Sequence, residues 1–307
     1  MAGQLWATST QGAFLYSPLL TEEVQAQFQP EAKFRQFAKL REEWGRNAGE
    51  TFLFDKYGDV DTQGGQLTET DTIPSRGYRL YQATATLYEY GNSIPWTRKY
   101  EDLDQIEHRE GPVTTLKNDL AKVIDTLCEA QFDAAKRRYV GTATGGGAFT
   151  TDGTATATAT SAFNKYHVKQ MVDYMFQTLK NTPYDNDGNY MALCSTNAKR
   201  GVYDDMESML QYTKFPASGE FGKFYECRFA RTNHAISNAI GNGSSYGEAY
   251  MFGEYPICEG VAVAPEIRPK LETDFGRSKG LAWYAILGYK IFHFADPDDN
   301  IIKFDSA

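Results

Sequence analysis

The segment GSSYG, residues 243 to 247, has the Gly-x-Ser-x-Gly spacing of a nucleophile elbow, where Ser245 would attack a carbonyl from a sharp turn between a strand and a helix. Its surroundings argue against that turn. SNAIGNG before it is rich in glycine and asparagine, and EAYMFGEY after it has strand character, so a surface loop is expected, with a serine hydrolase acting through Ser245 kept as an alternative. The acidic run DNDG, residues 185 to 188, lacks the glycine at the sixth position and the glutamate at the twelfth that a calcium loop requires. DPDD, residues 296 to 299, is ordinary turn chemistry between two strands. His108, His167, His234 and His293 stand apart from one another, and Cys128, Cys194, Cys227 and Cys258 form no CxxC pair, which leaves no metal set and no redox motif. GTATGGG lacks the Gly-Lys-Ser/Thr ending of a phosphate-binding loop. No catalytic residue, cofactor or metal is expected.

With little to do in chemistry, the chain has much to do in contact. Its 307 residues exceed the roughly 100–200 of one domain, so two packed lobes are expected. Aromatic residues make up 14%, with 20 Tyr and 19 Phe, which supplies ample contact area. The net charge of −9 excludes a surface built to grip phosphates, so any DNA nearby would be held loosely. The first twenty residues lack a basic region followed by an apolar one, and no run of about 18 apolar residues occurs; a cytoplasm-like compartment and no membrane are expected.

Periodicity then divides the chain. Residues 1 to about 20 keep no period and read as an extended arm; Phe34, Phe37, Leu40 and Trp44 predict a short helix from Pro30 to Trp44. TFLFDKY, a turn-rich stretch, and YRLYQATATLYEYG predict a long hairpin whose returning strand puts Tyr81, Ala83, Ala85 and Leu87 on one face. Such a hairpin is marginal alone and needs another surface, for which a neighbouring subunit is a candidate. Val113, Leu116, Leu120, Val123, Ile124 and Leu127 predict a helix of some seven turns over 113–138, capped by Thr114 or Thr115 and closed by Lys136, Arg137 and Arg138. TATATAT at 154–160 alternates as a strand would. A second helix follows with Asn164 as its cap, then a strand at YMALCST, a helix from Asn197, and strands at FYECRFART, AYMFGEY, CEGVAVAPEI, GLAWYAILGYKIFHF and IIKFD.

Three segments, GETFLFDKYGDV, QLTETDTIPSRGYRLYQATATLYEYGNSIPWTRKYEDL and GEFGKFYECRFARTNHAIS, resemble the N4-like family of major capsid proteins from tailed DNA bacteriophages. Leu67, Thr68, Glu69, Tyr90, Gly91 and Thr97 match its extended loop, and Gly222, Phe224, Arg228 and Phe229 match its axial lobe; the family's Glu-Gly after Leu-Thr is here Glu69-Thr70. The resemblance implies an α+β fold of the Hong Kong 97 type. Its parts would be an N-terminal arm and short helix over 1–45, an extended loop over 46–108, a peripheral domain over 109–185 and 263–307 with its spine helix, and an axial domain over 186–262. It implies a structural protein, not an enzyme, that assembles with itself into hexamers and pentamers of a phage head made in the bacterial cytoplasm. Cement or decoration protein, scaffold and portal are implied as further partners, beside loosely held double-stranded DNA.

Tyr, Trp and Arg dominate interface energetics. The residues expected to carry self-assembly are therefore Lys56, Tyr57, Leu67, Glu69, Arg76, Tyr78, Arg79, Tyr81, Trp96 and Arg98. A tail-tube or decoration protein is the rival structural role, and the long helix speaks against it.

Overall fold

Helix α2, Glu110–Asp133, sits between two sheets, and its sequence shows why. Here α1 is the short helix Arg98–Leu103 before it. Leu116, Ile124, Cys128 and Phe132 recur at spacings of four or eight and are all buried, with Leu120 partly buried in the same row. At about 1.5 Å per residue the helix is about 36 Å long, enough to cross both lobes. The computed structural model describes residues 33–42, 49–60, 64–73, 75–103, 110–207, 220–271, 273–292 and 300–307. The expected arm, and Trp44 of the expected first helix, lie outside the described residues.

The four-stranded sheet has the order β1-β11-β12-β4, with β1 at Ala38–Glu42, β4 at Tyr88–Thr97, β11 at Ile257–Pro269 and β12 at Ser278–Ile291. Strand β12 is its spine, antiparallel to both β11 and β4. Two side chains fasten α2 to this sheet: Asp119 Oδ2 accepts from Trp283 Nε1 at 2.8 Å and from Asn92 Nδ2 at 3.0 Å. Trp283 is 2% exposed, so Asp119→Ala would leave a buried indole donor without its acceptor. That variant is expected to lose about 1–3 kcal/mol of stability, read as a lower urea midpoint with an unchanged slope.

The seven-stranded sheet has the order β6-β5-β13-β10-β7-β9-β8. Its strands are β5 (Arg138–Ala143), β6 (Gly146–Thr150), β7 (Tyr190–Cys194), β8 (Glu220–Phe224), β9 (Cys227–Arg231), β10 (Ala249–Phe252) and β13 (Ile301–Phe304). Helices α3 (Lys165–Asp173) and α4 (Thr196–Glu207) pack with it. The Asn164 side chain accepts from the N–H groups of Tyr166 and His167, the cap expected from the sequence. The last turn, Tyr174–Thr178, widens to π geometry.

Several expectations are corrected. The spacing of Phe34, Phe37 and Leu40 does not make a helix: one 3-10 turn, Arg35–Phe37, passes into β1, and Leu40 is exposed. A parallel ladder with β11, from Ala38 opposite Ile257 to Glu42 opposite Val261, satisfies that backbone instead. Helix α2 is already formed at Glu110 and carries Gly111 and Pro112 in its first described turn, so neither Thr114 nor Thr115 caps it. It ends at Asp133 rather than Arg138, where Arg138 leaves to open β5 and its guanidinium Nη2 donates back to the Asp133 carbonyl at 3.2 Å. TATATAT is not a strand. Ala159 is buried while Thr154, Thr156 and Thr158 are exposed, and the segment is pinned by separate hydrogen bonds rather than a ladder, among them Asn242 N to the Ala159 carbonyl at 2.9 Å, Ala307 N to the Ala157 carbonyl at 3.1 Å and Thr160 N to the Gly141 carbonyl at 3.0 Å. GTATGGG instead closes the β5–β6 hairpin. In the seven-stranded sheet β5, β6 and β13 join the strands of residues 190–252, while β11 and β12 pair in the four-stranded sheet.

Candidate assembly interface

Strands β2 (Thr51–Val60) and β3 (Tyr78–Thr86) form a two-stranded antiparallel ribbon, the hairpin expected from the sequence. Its two halves differ. At the base Phe52, Phe54, Ala83, Ala85 and Leu87 are buried with Cys258 of β11 and Phe292 just past β12. The chain's own sheet therefore supplies the surface that the alternating face needs. The fit depends on glycine. Gly260 and Gly288 are cross-strand partners in β11 and β12. A Cβ at Gly260 would lie 2.7 Å from the Phe52 ring, and one at Gly288 would lie 2.4 Å from the Thr86 carbonyl oxygen. This notch was not foreseen; two glycines facing each other across a ladder have no signature along one strand.

The far half of the ribbon stands out from that cover. The register runs evenly from Thr51 opposite Thr86 to Tyr57 opposite Leu80, then shifts so that Val60 faces Tyr78, a bulge that adds a residue on the β2 side. Beyond this point Tyr57 is 73% exposed, Tyr78 66% and Ile73 77%. Leu67, Val60 and Leu80 are exposed as well, and the Tyr57 and Tyr78 rings lie 5.9 Å apart. The turn expected at Leu67-Thr68-Glu69 is closed by Asp71, whose N–H donates to the Thr68 carbonyl at 3.0 Å while its Oδ2 accepts from Thr68 N at 2.8 Å. Hydrogen bonds donated to it by the Thr68 backbone N–H and side chain hold the Asp71 carboxyl below its ordinary range.

Of the residues expected at the interface, Tyr57, Leu67, Glu69, Arg76 and Tyr78 are exposed on the far half and Tyr81 is half-buried on β3. Trp96 belongs elsewhere: at 7% exposure its ring is part of its own subunit's interior. Arg98 is exposed at the start of α1 and pairs with Asp102 at 3.5 Å. The side chains of Lys56 and Arg79 lie outside the described residues.

The chemical alternatives do not assemble. Ser245 is exposed, follows a 3-10 turn (Asn242–Ser244) and precedes strand β10 instead of a helix, and its hydroxyl donates to the Gly243 carbonyl at 3.2 Å. That geometry is not a nucleophile elbow. His167 is buried with Nε2 2.8 Å from the Ala143 carbonyl, and His234 Nδ1 is 3.0 Å from Asp125 Oδ2. Asp185 of DNDG pairs with Arg228 at 2.6 Å. All four cysteines are free and buried, and burial pushes the Cys194 thiol far above its ordinary range. His108, His293 and DPDD lie outside the described residues. Among the described residues no group of three or more His, Cys, Asp or Glu is placed to hold a metal ion, and no helix is long and apolar enough to cross a membrane.

Comparison with known proteins agrees with a contact surface rather than a reaction centre. The capsid of Ralstonia phage GP4 superposes with a TM-score of 0.71 at 12% identity, covering 100% of this chain and 99% of that one. The capsid of cyanophage P-SCSP1u gives 0.70 at 13%, covering 99% and 97%. The cyanophage Pam1 capsid asymmetric unit gives 0.68 at 14%, covering 100% of both. At these identities the likeness establishes the fold, which is the α+β fold of Hong Kong 97 type that the sequence led us to expect. No curated protein matches the sequence. The family model described as phage capsid protein matches residues 81–298, more than half of the chain. The chain therefore belongs to the phage capsid protein family, and it is a structural, non-enzymatic major capsid protein.

Proposed function

We propose that the subunit forms hexameric and pentameric rings that close the icosahedral head of a tailed phage around double-stranded DNA, with the far half of the β2–β3 hairpin binding an adjacent subunit. The observation that carries this reading is the hairpin's divided character. Its base is locked into its own subunit, while its far half holds Tyr57, Leu67, Ile73, Tyr78 and Leu80 exposed in one region. Contiguous exposed apolar surface of this kind marks an interaction site, and a ribbon anchored at one end can place it on a neighbour. Repetition around a closed shell then adds many modest contacts through multivalency.

In this arrangement the seven-stranded sheet, which holds β7 to β10 of residues 186–262 together with β5, β6 and β13, serves as the axial lobe at ring centres. The four-stranded sheet with α2 serves as the periphery. A net charge of −9 suits a lining that lets DNA slide, so the inner surface is expected to be net negative. Cement or decoration protein, scaffold and portal are the further partners such a head would engage.

The test is negative-stain microscopy with light scattering on the chain expressed alone and with residues 58–80 replaced by a two-residue turn. Rings or shells from the full chain, and single subunits from the shortened one, are expected. Undiminished assembly of the shortened chain would remove the hairpin from the mechanism.

A further inference from the structure

Tyr250 brings one hydroxyl to two carboxyl groups, 2.8 Å from Glu129 Oε1 and 3.2 Å from Glu248 Oε1. A phenol has a single hydrogen, so it can donate to only one of them, and the second contact is favourable only if that carboxyl group brings a hydrogen of its own. The surroundings decide which one does. Glu248 is committed as an anion, since it pairs with Lys303 Nζ through Oε1 and accepts the Ser237 N–H through Oε2 at 2.8 Å. Glu129, on α2, has no ion pair among the described residues.

The charges facing this point are unequal. Helix α2 contributes Glu129 and, one turn on, Asp133; the residue before β10 is Glu248; β13 brings Lys303 and is followed by Asp305; and β5 opens with Arg138. Lys303 pairs with Asp133, Glu248 and Asp305, and Arg138 pairs with Asp305. One turn back on α2, Asp125 is occupied elsewhere, by the N–H of Phe34 and by His234. Among the described residues paired at this point, Glu129, Asp133, Glu248 and Asp305 stand against Lys303 and Arg138. Even with Asp133 half exposed, the excess of negative charge favours taking up a proton.

We propose that Glu129 carries that proton, donating it to the Tyr250 oxygen while Tyr250 donates to Glu248, so that a proton-dependent clasp joins the long helix to the seven-stranded sheet. Burial, reinforced by Glu248 and Asp133 and opposed by the Tyr250 hydrogen bond, raises the Glu129 carboxyl from its ordinary value to about 7. The sign follows. A carboxyl group whose folded value lies above its unfolded one contributes stability that is complete below the unfolded value, near 4.5, and is lost as pH rises through about 7. Opening the clasp removes one polar tie between α2 and the seven-stranded sheet, while Asp119 and the shared apolar core still hold α2 in place. That tie responds to pH whether or not the subunit has assembled.

The experiment uses the full chain as dissociated subunits. Infrared spectra are expected to show the carbonyl stretch of a protonated carboxyl group at pH 6 that fades by pH 8 and is missing from Glu129→Gln. The wild-type unfolding midpoint should fall as pH rises from about 4.5 to about 7, and Glu129→Gln, whose amide still donates to Tyr250, should lack that part of the fall. Tyr250→Phe removes the oxygen that accepts the Glu129 hydrogen, so it should shift the frequency of the carboxyl band at pH 6. A band unchanged in Glu129→Gln, or parallel pH curves for the two proteins, would overturn the clasp, as would an unshifted band in Tyr250→Phe.

Discussion

Lys303→Met is expected to destabilise the subunit by about 3–5 kcal/mol, because removing one partner of a buried ion pair leaves the other charge uncompensated. The Lys303 side chain is 6% exposed and its ammonium lies among Asp133, Glu248 and Asp305, with the Tyr250 ring centre 5.7 Å away. Asp133, at 54% exposure, can turn to water, but Glu248 and Asp305, at 4% and 10%, cannot. The loss should appear as a lower urea midpoint at neutral pH and shrink under acid conditions, where the stranded carboxylates take up protons. Lys303→Arg keeps the charge and should recover part of the loss. Equal loss at neutral and acid pH would show that Lys303 acts by packing its stem.

The second large effect separates stability from assembly within one hairpin. Phe52→Ala empties the space over Gly260, and a buried phenylalanine cut to alanine costs about 3–5 kcal/mol. The triple change Tyr57→Ser, Tyr78→Ser and Leu80→Ser touches only exposed positions, so subunit stability should move by less than about 1 kcal/mol. Its effect on assembly should be complete, because a contact repeated at every subunit boundary multiplies its loss. Light scattering beside thermal unfolding decides the matter. A triple variant that still forms shells would leave those aromatic residues as ordinary surface.

Much of this was legible beforehand where side chains repeat along one element. The period of four through Leu116, Leu120 and Ile124 marks α2, and the alternation of Ala83 and Ala85 with Gln82 and Thr84 marks β3. Local chemistry was equally readable at Asn164, whose side chain caps the following helix within three residues. Reading failed where a local pattern had two outcomes of similar energy. Phe34, Phe37 and Leu40 satisfy a helical spacing, yet the ladder offered by β11 turns that stretch into a strand. TATATAT keeps its alternating burial without a ladder, held by separate hydrogen bonds such as Thr160 N to the Gly141 carbonyl and Ala307 N to the Ala157 carbonyl.

Burial also sorted the interface residues in a way no pattern could. Trp96 and Tyr57 are both large aromatics expected at the interface, but β4 is paired with β12 and lies near α2, whereas the far half of β2 reaches past the sheet that covers its base. The residues of the Glu129 clasp come from positions 129, 248, 250 and 303, a separation that hides them from any motif.

By itself the sequence determined the class of protein: the absence of a coherent catalytic constellation, the acidic balance, the long amphipathic helix, the hairpin and the segments that resemble capsid proteins are all properties of composition, spacing and local order. Only the tertiary structure decided which half of the hairpin is free, which sheet receives β13, and where acids outnumber bases. Those outcomes depend on residues remote in the chain competing for the same hydrogen bonds and the same buried volume, and that competition is settled only when the chain closes on itself.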